Sequence, residues 1–342
     1  MSSARQEVSA QRPSVHVVAT GGSISGLGPH RLDYILYPEL GQRSSIEQML
    51  ARIPEVKDVA EVQAENLIRV GSGSIGPTEW LQLAQRINAL FGTAHPPQGV
   101  VDTHGTATLE ETAYFLHLTV KSERPVVVTG AMRPPTALGT DADVNLLDAI
   151  RLAACPDAAG RGVLTVLNNE IQSARDVTKT NTFRVETFTS RELGFLGYVD
   201  SDGQVVFYRS VTRLHTTATP FDVRGRDRLP RVDIVYAYGG ADGVQIDALR
   251  QHGTVGLVLA GFGGGTYPGA FLDAGRRAVQ AGIPVVLASR ATAGRVITTP
   301  QKASDGFIVS DDLLPQKARI LLMLALSITR ERQALQELFY QY

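Results

Sequence analysis

Val17-Val18-Ala19-Thr20-Gly21-Gly22-Ser23-Ile24-Ser25 closes a short, β-branched apolar run with two glycines and a hydroxyl residue. Such a run reads as a buried strand. The glycines permit positive φ and a close approach of backbone to ligand. Open α/β sheets place their ligands at the carboxyl ends of strands, so a compact nucleophile at Ser23 would face a crevice. Taken alone, the stretch also fits an ordinary strand and glycine turn. The surrounding pattern has to decide.

Working outward, Val15–Ala19, Gly99–Asp102, Val126–Thr129 and Val163–Leu167 read as buried parallel strands. Between them Trp80, Leu83, Ala84 and Ile87 share one helical face, as do Leu109, Ala113, Leu116 and Val120. Asp143–Ala154 makes a third helix. Strand and helix alternate as in βαβ units, which require a sheet covered on both sides. Arg213–Arg231 has no period and reads as a linker. The alternation then restarts with Val232–Tyr236, Val255–Ala260 and Pro284–Ala288, separated by helices near Ile246–His252 and Ala270–Ala281. Helical patterns over Pro315–Arg330 and Arg332–Tyr340 end the chain. The expected organisation is a disordered tail over 1–13, an α/β domain over 14–212 that carries the nucleophile, a linker over 213–231 and a smaller α/β domain over 232–342.

Composition narrows the partners. Lys and Arg total 33 against 34 Asp and Glu, so no charge excess calls for nucleic acid or an anionic membrane surface. Cys155 is the only cysteine, which excludes an intramolecular disulfide and a cysteine-based zinc site. No run reaches the roughly 18 apolar residues of a membrane span. The first thirteen residues lack an apolar signal core, and a cytoplasmic protein is expected.

Val101-Asp102-Thr103-His104-Gly105-Thr106-Ala107-Thr108 again sets hydroxyls and a glycine directly after a strand. A helix opens at Leu109, so its first N–H groups face the same crevice. A capping box is the expected role of the Thr108–Glu111 pair; Thr106 is left open. A hydrogen-bonded structural role is expected of His104. Lys179, in Arg175-Asp176-Val177-Thr178-Lys179-Thr180-Asn181, fits a solvated surface group, or, desolvated beside a hydroxyl, a general base. The Gly261-Phe262-Gly263-Gly264-Gly265-Thr266 loop fails the dinucleotide fingerprint, because the third glycine would fall on Thr266 or Pro268. No His-x-x-x-His pair supports a metal site. Neither cofactor nor metal is expected.

Three segments, Ala19–Ile24, Thr103–Ala113 and Arg175–Asn181, stand in the order and spacing of the bacterial-type L-asparaginase/glutaminase family. Val128–Pro134, Leu196–Tyr198 and Pro315–Arg319 resemble that family too, and the resemblance runs from about Ser14 to Tyr342. It implies a larger N-terminal parallel-sheet domain and a smaller C-terminal α/β domain, in a homotetramer built as a dimer of dimers. The active site would lie between the N-terminal domain of one subunit and the C-terminal domain of its neighbour. The family hydrolyses a side-chain amide through an acyl-enzyme on a threonine hydroxyl. By motif, that nucleophile is Ser23, with Thr106 and Lys179 as the second hydroxyl and its lysine. Ser72 matches the serine that holds the substrate α-carboxylate. Tyr34 and Tyr37 are both candidates for the assisting tyrosine. Backbone N–H groups near Gly22 and Ala107 would form the oxyanion hole.

Departures gather in the site. The threonine nucleophile is Ser23, which keeps the hydroxyl and loses the β-branching that restricts χ1. The family's Thr-Asp pair reads Thr106-Ala107, removing the carboxylate that binds the substrate ammonium, and its Ser-Gln pair reads Ser72-Gly73. The asparagine of the second-domain glycine loop is Thr266, and Arg295–Gly306 offers only Asp305 as an acid. Leaving a buried ammonium unpaired should cost about 3–5 kcal/mol. The expectation is an amidohydrolase of a small carboxamide that lacks a free α-amino group, with L-asparagine a lesser substrate. The competing reading is a non-catalytic small-molecule-binding protein on the same scaffold.

Overall fold

The computed structural model describes residues 12–342; most of the expected tail lies outside them. Its strands, in chain order, are β1 (Ser14–Gly21), β2 (Glu61–Val70), β3 (Gly99–Thr103), β4 (Val126–Thr129), β5 (Val163–Leu167) and β6 (Glu170–Ser173). A short hairpin, β7 (Thr178–Lys179) and β8 (Phe188–Thr189), precedes β9 (Gly197–Val199) and β10 (Val205–Phe207). The C-terminal part contributes β11 (Val232–Tyr236), β12 (Gly256–Gly261), β13 (Val285–Ser289) and β14 (Ile308–Val309).

Eight strands form the large sheet in the order β10-β9-β6-β5-β4-β3-β1-β2, and β11-β12-β13-β14 form the small, parallel one. From β2 to β5 the large sheet is parallel, as the buried valine runs predict. Alternate residues of β1 serve opposite faces: Val18 packs with Trp80, Leu109 and Phe115, whereas Val15, Val17 and Ala19 pack with Leu146, Ile150 and Ala153. Both faces are therefore covered, which explains why these strands read as continuous apolar runs rather than alternating ones.

The parallel reading does not extend to the far edge. β5 and β6 are antiparallel, joined by Asn168 and Asn169, both at positive φ (53° and 64°). A two-residue turn of that hand closes a hairpin, whereas a parallel return needs a crossover. Asn tolerates the left-handed region, and both residues are tied down, Asn168 N–H to Asn145 Oδ1 and Asn169 Nδ2 to Asp148 Oδ2.

The segment 213–231 is not a loose tether. Phe221 and Val223 are buried, Lys121 Nζ donates to the carbonyls of Thr216 and Thr219, and Gln85 Nε2 donates to those of Val223 and Arg226. Helix Pro315–Ala325 buries Ile320, Leu321, Leu322 and Leu324 in one apolar cluster shared by the large sheet's Val128 and the small sheet's Val258. The two α/β units thus share a continuous core.

Candidate active site

β1 and β3 are neighbours in register, Ala19 opposite Thr103, so the loops leaving them emerge side by side. Gly21 and Gly22 leave β1 at φ 103° and 85°. A Cβ on Gly22 would overlap the Cα of Gly105, and one on Gly105 would stand 2.5 Å from the Ser72 Cβ. The backbones touch because neither residue has a side chain. This contact brings together Ser23 at the start of a single 3-10 turn, Ser72 after β2, and Thr106 after β3. All three line one cavity of about 250 Å³.

Lys179 Nζ donates to Thr106 Oγ1 at 2.8 Å. Burial lowers the lysine's pKa, and nearby Glu110 partly opposes the shift. Glu110 holds the hairpin that carries Lys179, and further side chains hold Glu110 and the loop leading into the hairpin. Glu110 Oε2 accepts from the Lys179 backbone N–H at 3.0 Å, and Glu110 Oε1 accepts from Gln316 Nε2 at 3.0 Å. Fully buried Lys317 donates from Nζ to the carbonyls of Ala174, Arg175 and Val177, at 3.0, 2.6 and 2.6 Å. Arg175 forms a two-pronged pair with Asp312, at 3.1 and 2.6 Å. A hydroxyl paired with a partly desolvated lysine can relay a proton.

The other side of the cavity is sparse. Ser72 Oγ accepts only a long bond, 3.3 Å, from Ala107 N–H. Ala107 and Gly73 are exposed, and nothing lies within 4 Å of a Cβ built on Gly73. The sole charged residue in the lining is Arg43.

The N-terminal family model for asparaginases matches residues 14–213, and the glutaminase/asparaginase C-terminal domain model matches residues 231–339. The chain belongs to the asparaginase family. It is 42% identical to L-asparaginase 2 of Bacillus subtilis over all of this chain and 90% of that protein. It is 41% identical to L-asparaginase 2 of Escherichia coli (96% and 93% covered) and 37% identical to the glutaminase-asparaginase of Pseudomonas fluorescens (98% and 92%). A crystal structure described as a probable cytoplasmic L-asparaginase from Campylobacter jejuni superimposes with a TM-score of 0.92 at 40% identity, covering 97% of this chain and all of that one. This family member is an amidohydrolase of the asparaginase type, acting on carbon–nitrogen bonds.

Some of the remaining candidates lie at this cavity within the single chain and others do not. Of the two tyrosines, Tyr37 lines the Ser23 cavity, with its ring beside Gly26. Tyr34 does not: its hydroxyl donates to the Leu138 carbonyl, Arg133 stacks on its ring, and it lines a separate cavity with Phe183. Thr108 occupies the N-cap position of helix Leu109–Thr119 but caps nothing; its hydroxyl donates to the Ser72 carbonyl at 2.8 Å. The cross-loop bond replaces the expected capping box. Gly22 N–H donates to the Val70 carbonyl at 3.3 Å, as long a contact as that of Ala107 N–H with Ser72 Oγ. Thr266 is exposed at the end of the small sheet, outside this cavity, its N–H and carbonyl both bonded to Phe262. Asp305 pairs with Arg276 and does not line the Ser23 cavity.

His104 is fully buried. Its Nδ1 meets the Gly105 carbonyl at 2.8 Å, so Nδ1 carries the proton and Nε2 accepts from Thr112 Oγ1, also at 2.8 Å. Trp80 Nε1 in turn donates to the Thr112 oxygen. Burial lowers the His104 pKa to about 4, keeping the ring neutral. Under the loops, Asp102 lies fully buried, with Thr20 donating to Oδ1 at 3.1 Å; burial raises its pKa to about 8.

Sequence reasoning missed Glu110, Gln316 and Arg43. Glu110 and Gln316 lie in segments quoted for the family resemblance and carry no local signature. Arg43 stands in a polar stretch with no period.

Proposed function

We propose that this enzyme hydrolyses a small carboxamide through an acyl-enzyme on Ser23, and that its preferred substrate carries no free α-amino group. Ser23 Oγ attacks the carboxamide carbon, and its proton leaves by way of Thr106 to the neutral Lys179, or to Tyr37. The tetrahedral oxyanion takes a hydrogen bond from Ala107 N–H, whose long contact with Ser72 is readily exchanged. Collapse expels ammonia, which takes up that proton. Water then attacks the acyl-serine, returns a proton to Ser23 and releases the acid.

The observation that carries this reading is the 2.8 Å Lys179–Thr106 bond in a cavity that also holds Ser23 but lines no acidic side chain. An ammonium group would enter such a cavity without a partner, which is costly. L-asparagine is expected to be turned over, but less efficiently than succinamate, which has the same skeleton without the amino group. Comparing kcat/KM for the two tests this. A strong preference for asparagine would overturn the substrate assignment. Failure of any amide analogue to label Ser23, with Ser23→Ala as active as the parent, would favour the binding-protein reading.

Assembly as a homotetramer is part of the proposal, since Thr266 could reach substrate only from a second subunit; light scattering tests it. The Campylobacter relative described as cytoplasmic supports a cytoplasmic setting, whereas a Haemophilus influenzae relative is described as periplasmic. Cell fractionation decides between them.

A further inference from the structure

We infer that Arg43 is the substrate-reading cation of this enzyme: its guanidinium receives a carboxylate of the substrate, so that the cavity selects anionic amides by charge. This rests on the amidohydrolase reading of Ser23 and names what recognises the part of the substrate that does not react.

Arg43 is fixed in place by its backbone. Ser44 N–H donates to the Ser25 carbonyl at 2.7 Å and Leu27 N–H to the Gln42 carbonyl at 3.0 Å, an antiparallel bridge of Gly26 with Arg43. The residue is thereby clamped to the segment that directly follows the nucleophile. Its side chain lies against the opposite loop, with Nη2 3.5 Å from the position of a Gly71 Cβ, one residue before Ser72.

The guanidinium is largely unused. A guanidinium offers five donors, yet among the described residues its one hydrogen bond is a 3.4 Å contact from Nη1 to the Gly41 carbonyl, and it makes no ion pair. Arg175, by contrast, is spent on Asp312 and Asp176. Arg43 is half-buried in a cavity whose remaining lining is uncharged. A free cation on the wall of a partly desolvated site attracts an anion and repels an ammonium. Its planar fork also suits a carboxylate better than a lone hydroxyl such as Ser72 can. The same geometry accounts for tolerance of Ala107 and Gly73: with no ammonium to hold, neither a carboxylate nor an amide is needed there.

The test compares succinamate with butanamide, the neutral amide of the same length, in the wild type, Arg43→Gln and Arg43→Lys. The wild type is expected to favour succinamate. Arg43→Gln should cut that preference by about ten- to hundredfold, through KM for succinamate, and Arg43→Lys should restore part of it. An unchanged preference in Arg43→Gln overturns the inference while leaving the amidohydrolase reading intact. A second measurement does not depend on turnover. Succinate titrated calorimetrically into Ser23→Ala should bind at least tenfold more tightly than into Ser23→Ala/Arg43→Gln. Equal binding overturns the inference. Arg43-dependent binding by a protein that hydrolyses no amide supports the anion site and rejects the hydrolytic reading instead.

Discussion

The two walls of the Ser23 cavity are built on opposite terms. On the reacting wall, Thr106 is bonded to Lys179, whose hairpin is gripped by Glu110 and rests on a loop held by Lys317. On the recognition wall, the Ser72 hydroxyl accepts one long bond, Gly73 faces open space and Ala107 is exposed. The reacting wall is tied by several hydrogen bonds and the recognition wall by few, so substitutions are expected to cost more stability in the first than in the second. Retained chemistry beside altered recognition, as proposed, is consistent with this asymmetry.

The largest effect should come from the reacting wall. Lys179→Met is expected to lower kcat by about 10²- to 10⁴-fold with the fold intact by near-ultraviolet circular dichroism. A loss below tenfold would mean that the two walls do not differ in importance. In the wild type, the neutral lysine is the working form, so kcat should rise with pH through a limb below the ordinary lysine range, because burial lowers this pKa. Next, placing polar groups back on the recognition wall, with Ala107→Asp and Gly73→Gln together, should shift the asparagine-to-succinamate ratio of kcat/KM toward asparagine by about tenfold or more. No shift would show that this wall does not read the amino group.

Asp102, beneath the reacting wall, gives a stability test. Its folded pKa of about 8 lies above the ordinary 3.8. The folded state therefore holds a proton that the unfolded state releases between those values, and stability falls as pH rises through that window. Asp102→Asn should flatten the dependence seen in denaturant unfolding at pH 5 and pH 8; an equally steep decline in the variant would reject a buried neutral acid. The smallest effect is expected where the walls meet: Thr108→Val removes the bond to the Ser72 carbonyl and should cost about 1 kcal/mol, read from the unfolding midpoint.

Legibility in the sequence followed the same division. The valine runs of β1, β3, β4 and β5 were readable because parallel strands are buried on both faces. β2 was not: it lies at the sheet edge, and Glu61, Gln63, Asn66 and Arg69 break its apolar signal with exposed polar side chains. The hairpin turn at Asn168–Asn169 was missed because its cue is a backbone hand that Asn merely tolerates. Ser23, Thr106 and Lys179 could be singled out from local pattern and resemblance, and the structure brings them to one place. Arg43, Glu110 and Gln316 could not, because what matters in each is a neighbour far away in the chain. Thr108 misled for the same reason: its local pattern spelled a cap, and a closer partner on another loop took the hydroxyl.

Lys317 carries a consequence for biosynthesis. The loop leading to Lys179 is secured by a side chain that lies 140 to 143 positions later in the chain, on a helix docked from the C-terminal unit. Nearly the whole polypeptide must therefore leave the ribosome before the loop leading to Lys179 can be secured in this way. On the proposed mechanism, chains that stop short of Lys317 should lack amide turnover, which assay of a chain truncated before residue 315 would check.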